Sequence, residues 1–160
     1  MAKPILTTER LILRQWEPLD VELCVEMNSD PETMRFFPAP LTREQTEEQV
    51  ARWANQIEDH GWGLFAVDRK DTSEFIGPVG LVMTRDNLPF KSSMEIGWRL
   101  RKEHWNRGFA TEAATTLLAF AKDVLKEPRI ISITAVINVP SQNVMEKIGL
   151  VNTGRDFMHP

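Results

Sequence analysis

The stretch HWNRGFATEA, residues 104–113, joins a strand-like segment, MEIGWRL (94–100), to a run of small residues that opens a helix. Ala110, Ala113, Ala114, Leu117, Leu118, Ala121 and Leu125 recur at helical spacing and predict a long helix from about Gly108 to Leu125. Its small residues let it lie close to a sheet. A helix start offers unpaired N–H groups and a partial positive charge, which together suit an anion. Gly108 lets backbone approach a ligand, Ala110 keeps the next turn small, Thr111 adds a hydroxyl, and Arg107 supplies a charge for phosphate. A glycine in such a turn also serves purely steric ends, so the stretch alone leaves both readings open. Other phosphate motifs are missing: there is no G-x-x-x-x-G-K-[ST], and no third glycine follows Gly61 and Gly63.

Working outward, three β-rich stretches precede this junction: WGLFAVD (62–68), EFIGPVGLVMT (74–84) and MEIGWRL (94–100). The turn-rich segments between them predict an antiparallel meander. Pro78 cannot donate to a ladder, so a bulge or edge position is expected there. Earlier, ERLILRQW (9–16) reads as a first strand. Pro18 and Asp20 open a helix to about Met27, with Leu19, Leu23, Cys24 and Met27 on one face. Thr42 caps a second helix, striped by Val50, Trp53, Ala54 and Ile57 and ended by Gly61. Between these helices MRFFPAP is a loop carrying Phe36 and Phe37.

Beyond the long helix, IISITAVI (130–137) predicts a strand buried on both faces. PSQNVMEKI (140–148) predicts a short helix, and LVNTGRDF (150–157) a last strand. The order is β-α-α-β-β-β-α-β-α-β, an α/β fold (an α+β mixed sheet) in a single domain over residues 1–160. Asn138 or Ser141 serves as a helix cap or as a ligand contact; the segment alone does not choose.

With 160 residues, 42% of them hydrophobic, and a net charge of −4, nothing marks a phosphate-backbone binder, and no nucleic-acid partner is expected. No apolar run approaches the ~18 residues of a membrane span, so no membrane partner is expected either. MAKPILTTER lacks the apolar core of a signal peptide, and the one cysteine, Cys24, forms no internal disulfide. These point to a cytoplasmic protein. His60 and His104 flank aromatics as structural residues do, and no His/Cys cluster has metal-ligand spacing, so no metal is expected.

Four segments, TERLILRQW, MEIGWRL, HWNRGFATEA and NVPSQNVMEKIGL, come in the order found in the GNAT superfamily of acetyl-CoA-dependent N-acetyltransferases. The chain resembles the branch that includes the ribosomal-protein N-terminal acetyltransferases. That resemblance implies a splayed central sheet with helices on both faces, and acetyl-CoA as co-substrate. It sets the coenzyme's pyrophosphate on the amides of Arg107, Gly108, Phe109, Ala110 and Thr111. The pantetheine arm would lie along the backbone of Trp98, Arg99 and Leu100, pairing as an added strand would. A backbone N–H there would polarise the thioester carbonyl. Asn138 matches the family's cofactor-contacting asparagine and Ser141 the serine near the sulfur.

The implied reaction is direct attack of a primary amine, from a protein N-terminus or a small molecule, on the thioester in a ternary complex. Many relatives use a tyrosine as acid; this chain has no tyrosine. Ser141 or a water then protonates the thiolate, a good leaving group at a pKa near ~8.5. Glu95 is the candidate base, with a solvated or cross-strand-paired carboxylate as the other reading. An acetyl-CoA-binding regulatory or scaffold module without turnover is the alternative function. Relatives close with a hairpin whose last strand lies beside 130–137, and only DFMHP follows Arg155 here. The usual last strand is therefore expected to be lacking, with a second copy covering the edge through strands near 130–137 and 150–157, as a homodimer.

Overall fold

The structure, a computed structural model, describes residues 4–160. Its centre is one six-stranded sheet in sequence order: β1 (Pro4–Thr7), β2 (Leu11–Arg14), β3 (Leu64–Arg69), β4 (Phe75–Met83), β5 (Met94–Trp98) and β6 (Ile130–Ile131). The first five strands pair antiparallel, and β6 joins β5 in parallel. Four helices accompany them: α1 (Pro18–Ser29), α2 (Arg43–His60), α3 (Phe109–Asp123) and α4 (Val139–Lys147). No helix among the described residues is long and apolar enough to cross a membrane.

The helix starts follow their local chemistry. Thr42 and Gln45 exchange side-chain-to-backbone hydrogen bonds at α2, and Glu17 and Asp20 do the same at α1 behind Pro18. β4 is buried at seven successive positions, Phe75 to Leu81, because both of its faces are covered. α1 and α2 pack on one side of the sheet and α3 on the other. Ala113, Ala114 and Ala121 of α3 are fully buried, as a close helix-to-sheet contact requires.

A buried ion network fastens one end of the sheet to α1. The Arg14 guanidinium holds Asp68 through Nε (2.5 Å) and Nη2 (2.8 Å), and Asp20 through Nη1 (2.7 Å) and Nη2 (2.9 Å). Its remaining Nη1 proton goes to the Gln15 carbonyl at 3.0 Å, so all five donors are used. Burial opposes the charge, and the two carboxylates outweigh it, raising the Arg14 pKa.

Gly77 holds a second close contact, at φ +135°. A Cβ built on it would stand 2.1 Å from the Arg99 carbonyl oxygen and 3.0 Å from the Leu100 Cα, so only glycine lets β5 come so near.

Five expectations are corrected. β1 precedes the first predicted strand; a four-residue edge strand starting at a proline gives little alternation to read. The strand expected over 130–137 shortens to Ile130–Ile131, and 150–157 forms no strand. The observed order is therefore β-β-α-α-β-β-β-α-β-α. Pro78 lies in an interior strand opposite Ala66, and the register irregularity falls between the Val67↔Gly77 and Asp68↔Phe75 pairs. Leu19, expected on the buried face with Cys24, is 69% exposed, whereas Cys24 is fully buried and its thiol is pushed up to about 12 by burial.

Candidate active site

β5 and β6 run together for only two residue pairs, Met94↔Ile130 and Glu95↔Ile131. Past that point β6 leaves its neighbour. The Ser132 hydroxyl donates to the Ile96 carbonyl at 2.9 Å, and the Ile133 N–H turns to the Glu95 carboxylate. β5 continues its ladder on the other side, since the Arg99 N–H reaches the Pro78 carbonyl (3.0 Å) and the Arg101 N–H reaches Ile76 (2.8 Å). Pleat alternation therefore turns the N–H groups of Trp98 and Leu100 toward the open side. An interior strand with one bare edge in mid-sheet is a place for an extended ligand to pair.

The open edge leads directly into the turn before α3. The Trp105 indole N–H donates to the Leu100 carbonyl at 2.8 Å, tying the turn to the strand. Asn106 (φ 56°) and Gly108 (φ 77°) are both left-handed, and Phe109 then enters the helix. Such reversals point successive N–H groups into one concavity that suits an anion. Gly108 caps α3 with no side-chain hydrogen bond, so the first-turn amides stay open. A cleft of ≈ 360 Å³ on the flank of the turn is lined by Arg10, Arg69, Lys70 and Arg107 together with Glu9, Asp71 and Phe109.

The turn is braced from below. Glu112 accepts from the Thr8 hydroxyl, from the Arg10 N–H at 2.8 Å and from Arg10 Nε at 2.6 Å. Arg10 Nη1 in turn donates to the Arg107 carbonyl at 2.9 Å, and its guanidinium lies 4.5 Å from the Phe109 ring centre. Burial would raise the Glu112 pKa; the donors from Thr8 and Arg10 outweigh it and hold the carboxyl low. His104 is buried against Phe109, and burial lowers its pKa, so its ring serves as packing.

On the far side of the gap, Asn138 begins α4. Its side-chain oxygen accepts from the Ser141 N–H at 3.2 Å, so the cap reading of this residue holds. α4 packs against α3, the helix that the turn opens. Glu95 is half-buried at the fork between β5 and β6. Burial raises its pKa above the ordinary carboxylate range, against the pull of the Ile133 N–H and of His159. Its hydrogen bond runs to Ile133, so the cross-strand pairing expected as its other reading is a contact with backbone. Glu95 and Ser141 share no contact among the described residues.

The sequence-predicted set thus falls into two groups. Trp98 to Leu100 and Arg107 to Thr111 are joined through the Trp105–Leu100 hydrogen bond, and Asn138 and Ser141 stand apart at α4. Three contributors were missed. The left-handed turn at Asn106 had a signal, since asparagine tolerates that conformation best among non-glycine residues. The Arg10–Glu112 brace spans 102 positions and gives no local pattern. The Arg99 side chain, which projects away from the gap, was read only as backbone.

A fold with a forked sheet, a bare strand edge and an amide concavity at the next helix is that of an acyltransferase. The chain belongs to the GNAT acetyltransferase family, whose acetyltransferase domain matches residues 10–151, and it is an acyltransferase enzyme. It is 30% identical over 149 residues to the N-acetyltransferase YnaD of Bacillus subtilis, covering 93% of this chain and 84% of that one. The crystal structure of an acetyltransferase from Agrobacterium tumefaciens superposes with a TM-score of 0.80 at 29% identity, over 93% of this chain and 84% of that one. The fold also matches spermidine N-acetyltransferase from Vibrio cholerae, solved with CoA and spermine. There the TM-score is 0.67 at 24% identity, over 87% and 79% of the two chains.

Proposed function

We propose that this protein, as a single acetyltransferase unit over residues 1–160, moves an acetyl group from acetyl-CoA to a primary amine by direct attack in a ternary complex. The observation that carries this is the continuity of the bare β5 edge with the left-handed turn at Asn106 and Gly108. The thioester arm of acetyl-CoA pairs with the Trp98 and Leu100 backbone. Its pyrophosphate takes the amides from Arg107 to Thr111. The Trp98 N–H polarises the thioester carbonyl as charge builds on its oxygen. The amine nitrogen then forms a bond to the acetyl carbon, the carbon–sulfur bond breaks, and the thiolate takes a proton from water, directly or relayed through the Ser141 hydroxyl, which regains its own proton from that water. Glu95, with its raised pKa, receives the proton lost by the amine, directly or through one water.

The acceptor is an amine of low pKa. An α-amino group at about 7.7–8.0 is partly neutral at physiological pH, whereas a lysine amine near 10.4 is not. The test is thiol release with acetyl-CoA and peptides that differ only in a free N-terminus or a free lysine, beside calorimetric titration of the coenzyme. Faster acetylation of the lysine peptide at neutral pH would contradict the acceptor class. Tight coenzyme binding without turnover on any amine would contradict acetyl transfer.

We further propose that a second copy of the chain covers the surface of Val136, Ile137, Val139 and Val151, which are 67%, 68%, 55% and 86% exposed. Val136, Ile137 and Val139, close together in the chain, are more apolar surface than an isolated residue presents.

A further inference from the structure

Glu95, Gly97 and Arg99 lie on one face of β5 by pleat alternation. It is the α1 and α2 face, because Arg99 Nη1 donates to Asn28 Oδ1 of α1 at 2.7 Å and to Gln49 Oε1 of α2 at 3.4 Å. The Arg99 guanidinium also lies 4.4 Å from the ring centre of Phe37, in the loop between those helices. All of these partners are neutral. Arg10, Arg14, Arg43, Arg69 and Arg101 each have a carboxylate within 4.0 Å, and among the described residues Arg99 has none.

Three of the five Arg99 N–H donors have no protein acceptor among the described residues. Nε is buried without a partner, and Nη2 has no acceptor among the described residues. Burial with no counter-charge brings its pKa down to about 10. A cation partly withdrawn from water among neutral amides, with its Nε fully shut off, is stabilised when an anion completes its shell. Space for one lies beside it: a Cβ built on Gly97 would meet nothing within 4 Å, and Phe37 at the rim is 42% exposed.

We propose that Arg99, Phe37 and the bare face of Gly97 receive a carboxylate carried by the acceptor. This rests on the reading that an amine acceptor comes to the β5 edge. Glu95 and Arg99 are four residues apart, about 13 Å along the strand. An acceptor seated between them carries amine and carboxylate within about 10 Å, the length of one to three extended residues. Amino acids and short peptides have that form, and so does a protein N-terminus followed by an acidic side chain. Polyamines do not.

The test reads binding, separately from turnover. Trialanine, its C-terminal amide, and the same amide with aspartate at the third position are titrated into the full chain, with and without CoA, and followed by NMR. Trialanine or the aspartate peptide binds at least about tenfold more tightly than the neutral amide, the low end for a charge-assisted hydrogen bond. The tighter of the two identifies a terminal or a side-chain carboxylate as the source. Arg99→Gln, shown to be folded by a urea transition, brings the ratio near one. Equal binding of all three peptides to the native protein overturns the proposal. Thiol release on the same peptides is scored apart: its absence would remove acetyl transfer and leave the binding ratio standing.

Discussion

Replacing Gly108 by valine should remove coenzyme binding while sparing the fold. Gly108 sits at φ 77°, where a β-branched residue is strained by about 1–3 kcal/mol. Its new Cβ would stand 3.3 Å from Arg10 Nη2, the far end of a flexible side chain that yields by a few tenths of an ångström. Against the ~5–15 kcal/mol stability of an ordinary domain, the variant still folds. The strain is relieved by turning residue 108 out of the left-handed region, which swings the amides of residues 108 and 109 away from the concavity. Each hydrogen bond to a charged group contributes about 1.5–3 kcal/mol, so losing two costs ~3–6 kcal/mol. That is about a hundredfold to ten-thousandfold in dissociation constant. The assay is calorimetric titration with acetyl-CoA beside a urea unfolding curve. Gly61→Val is the control: it shares the left-handed strain, at φ 76°, but sits at the end of α2 with open space around its Cβ. Acetyl-CoA affinity within about threefold of wild type in folded Gly108→Val would refute the reasoning, as would an equal loss in the control.

Asn138→Ala removes the α4 cap and should cost about 1 kcal/mol of stability along with coenzyme affinity, whereas Ser141→Ala should lower turnover more than affinity. Full turnover in Ser141→Ala would assign the proton to water. Because burial raises the Glu95 pKa, its contribution to stability is full below the unfolded value, about 4.3, and is lost as pH rises through the folded value. Glu95→Gln is therefore at least as stable as wild type in urea at pH 7, while its thiol-release rate falls on the order of a hundredfold; an unchanged rate would leave Glu95 a structural residue. Light scattering at micromolar concentration should give twice the mass of one chain, reduced to a single chain by charged substitutions at Val136 and Ile137; a native monomer would remove the dimer.

What could be read from the sequence is what short-range chemistry controls. Thr42, Pro18 with Asp20, and the alanine stripe from Ala110 to Ala121 each announce a helix within a few residues, and each is present. The meander from Leu64 to Trp98 was visible because its strands are neighbours in the chain. IISITAVI misled because β-branched residues report a preference for extended backbone but not whether a partner strand accompanies them. Two of its eight positions have one in the sheet; then Ser132 and Ile133 turn to Ile96 and Glu95 instead. The turn before α3 was legible through Gly108, yet the brace that holds it arrives from Thr8 and Arg10, about a hundred residues away. Arg99 shows the same limit: its cationic type is plain in the sequence, its lack of a counter-charge is not.

The gap between β5 and β6 is gauged from behind, by the atoms Gly77 lacks. Any side chain there must push the Arg99 carbonyl from 2.1 Å out to at least the 3.4 Å of ordinary contact. β5 has only one direction in which to yield, toward β6, so each methyl group added at position 77 would narrow the mouth of the fork. A shift of about 1 Å in a reacting group is enough to slow catalysis on the order of a hundredfold. A position with no contact to coenzyme or acceptor is thus a calibrating screw for both, and graded substitution there would tune turnover without altering any group that touches them.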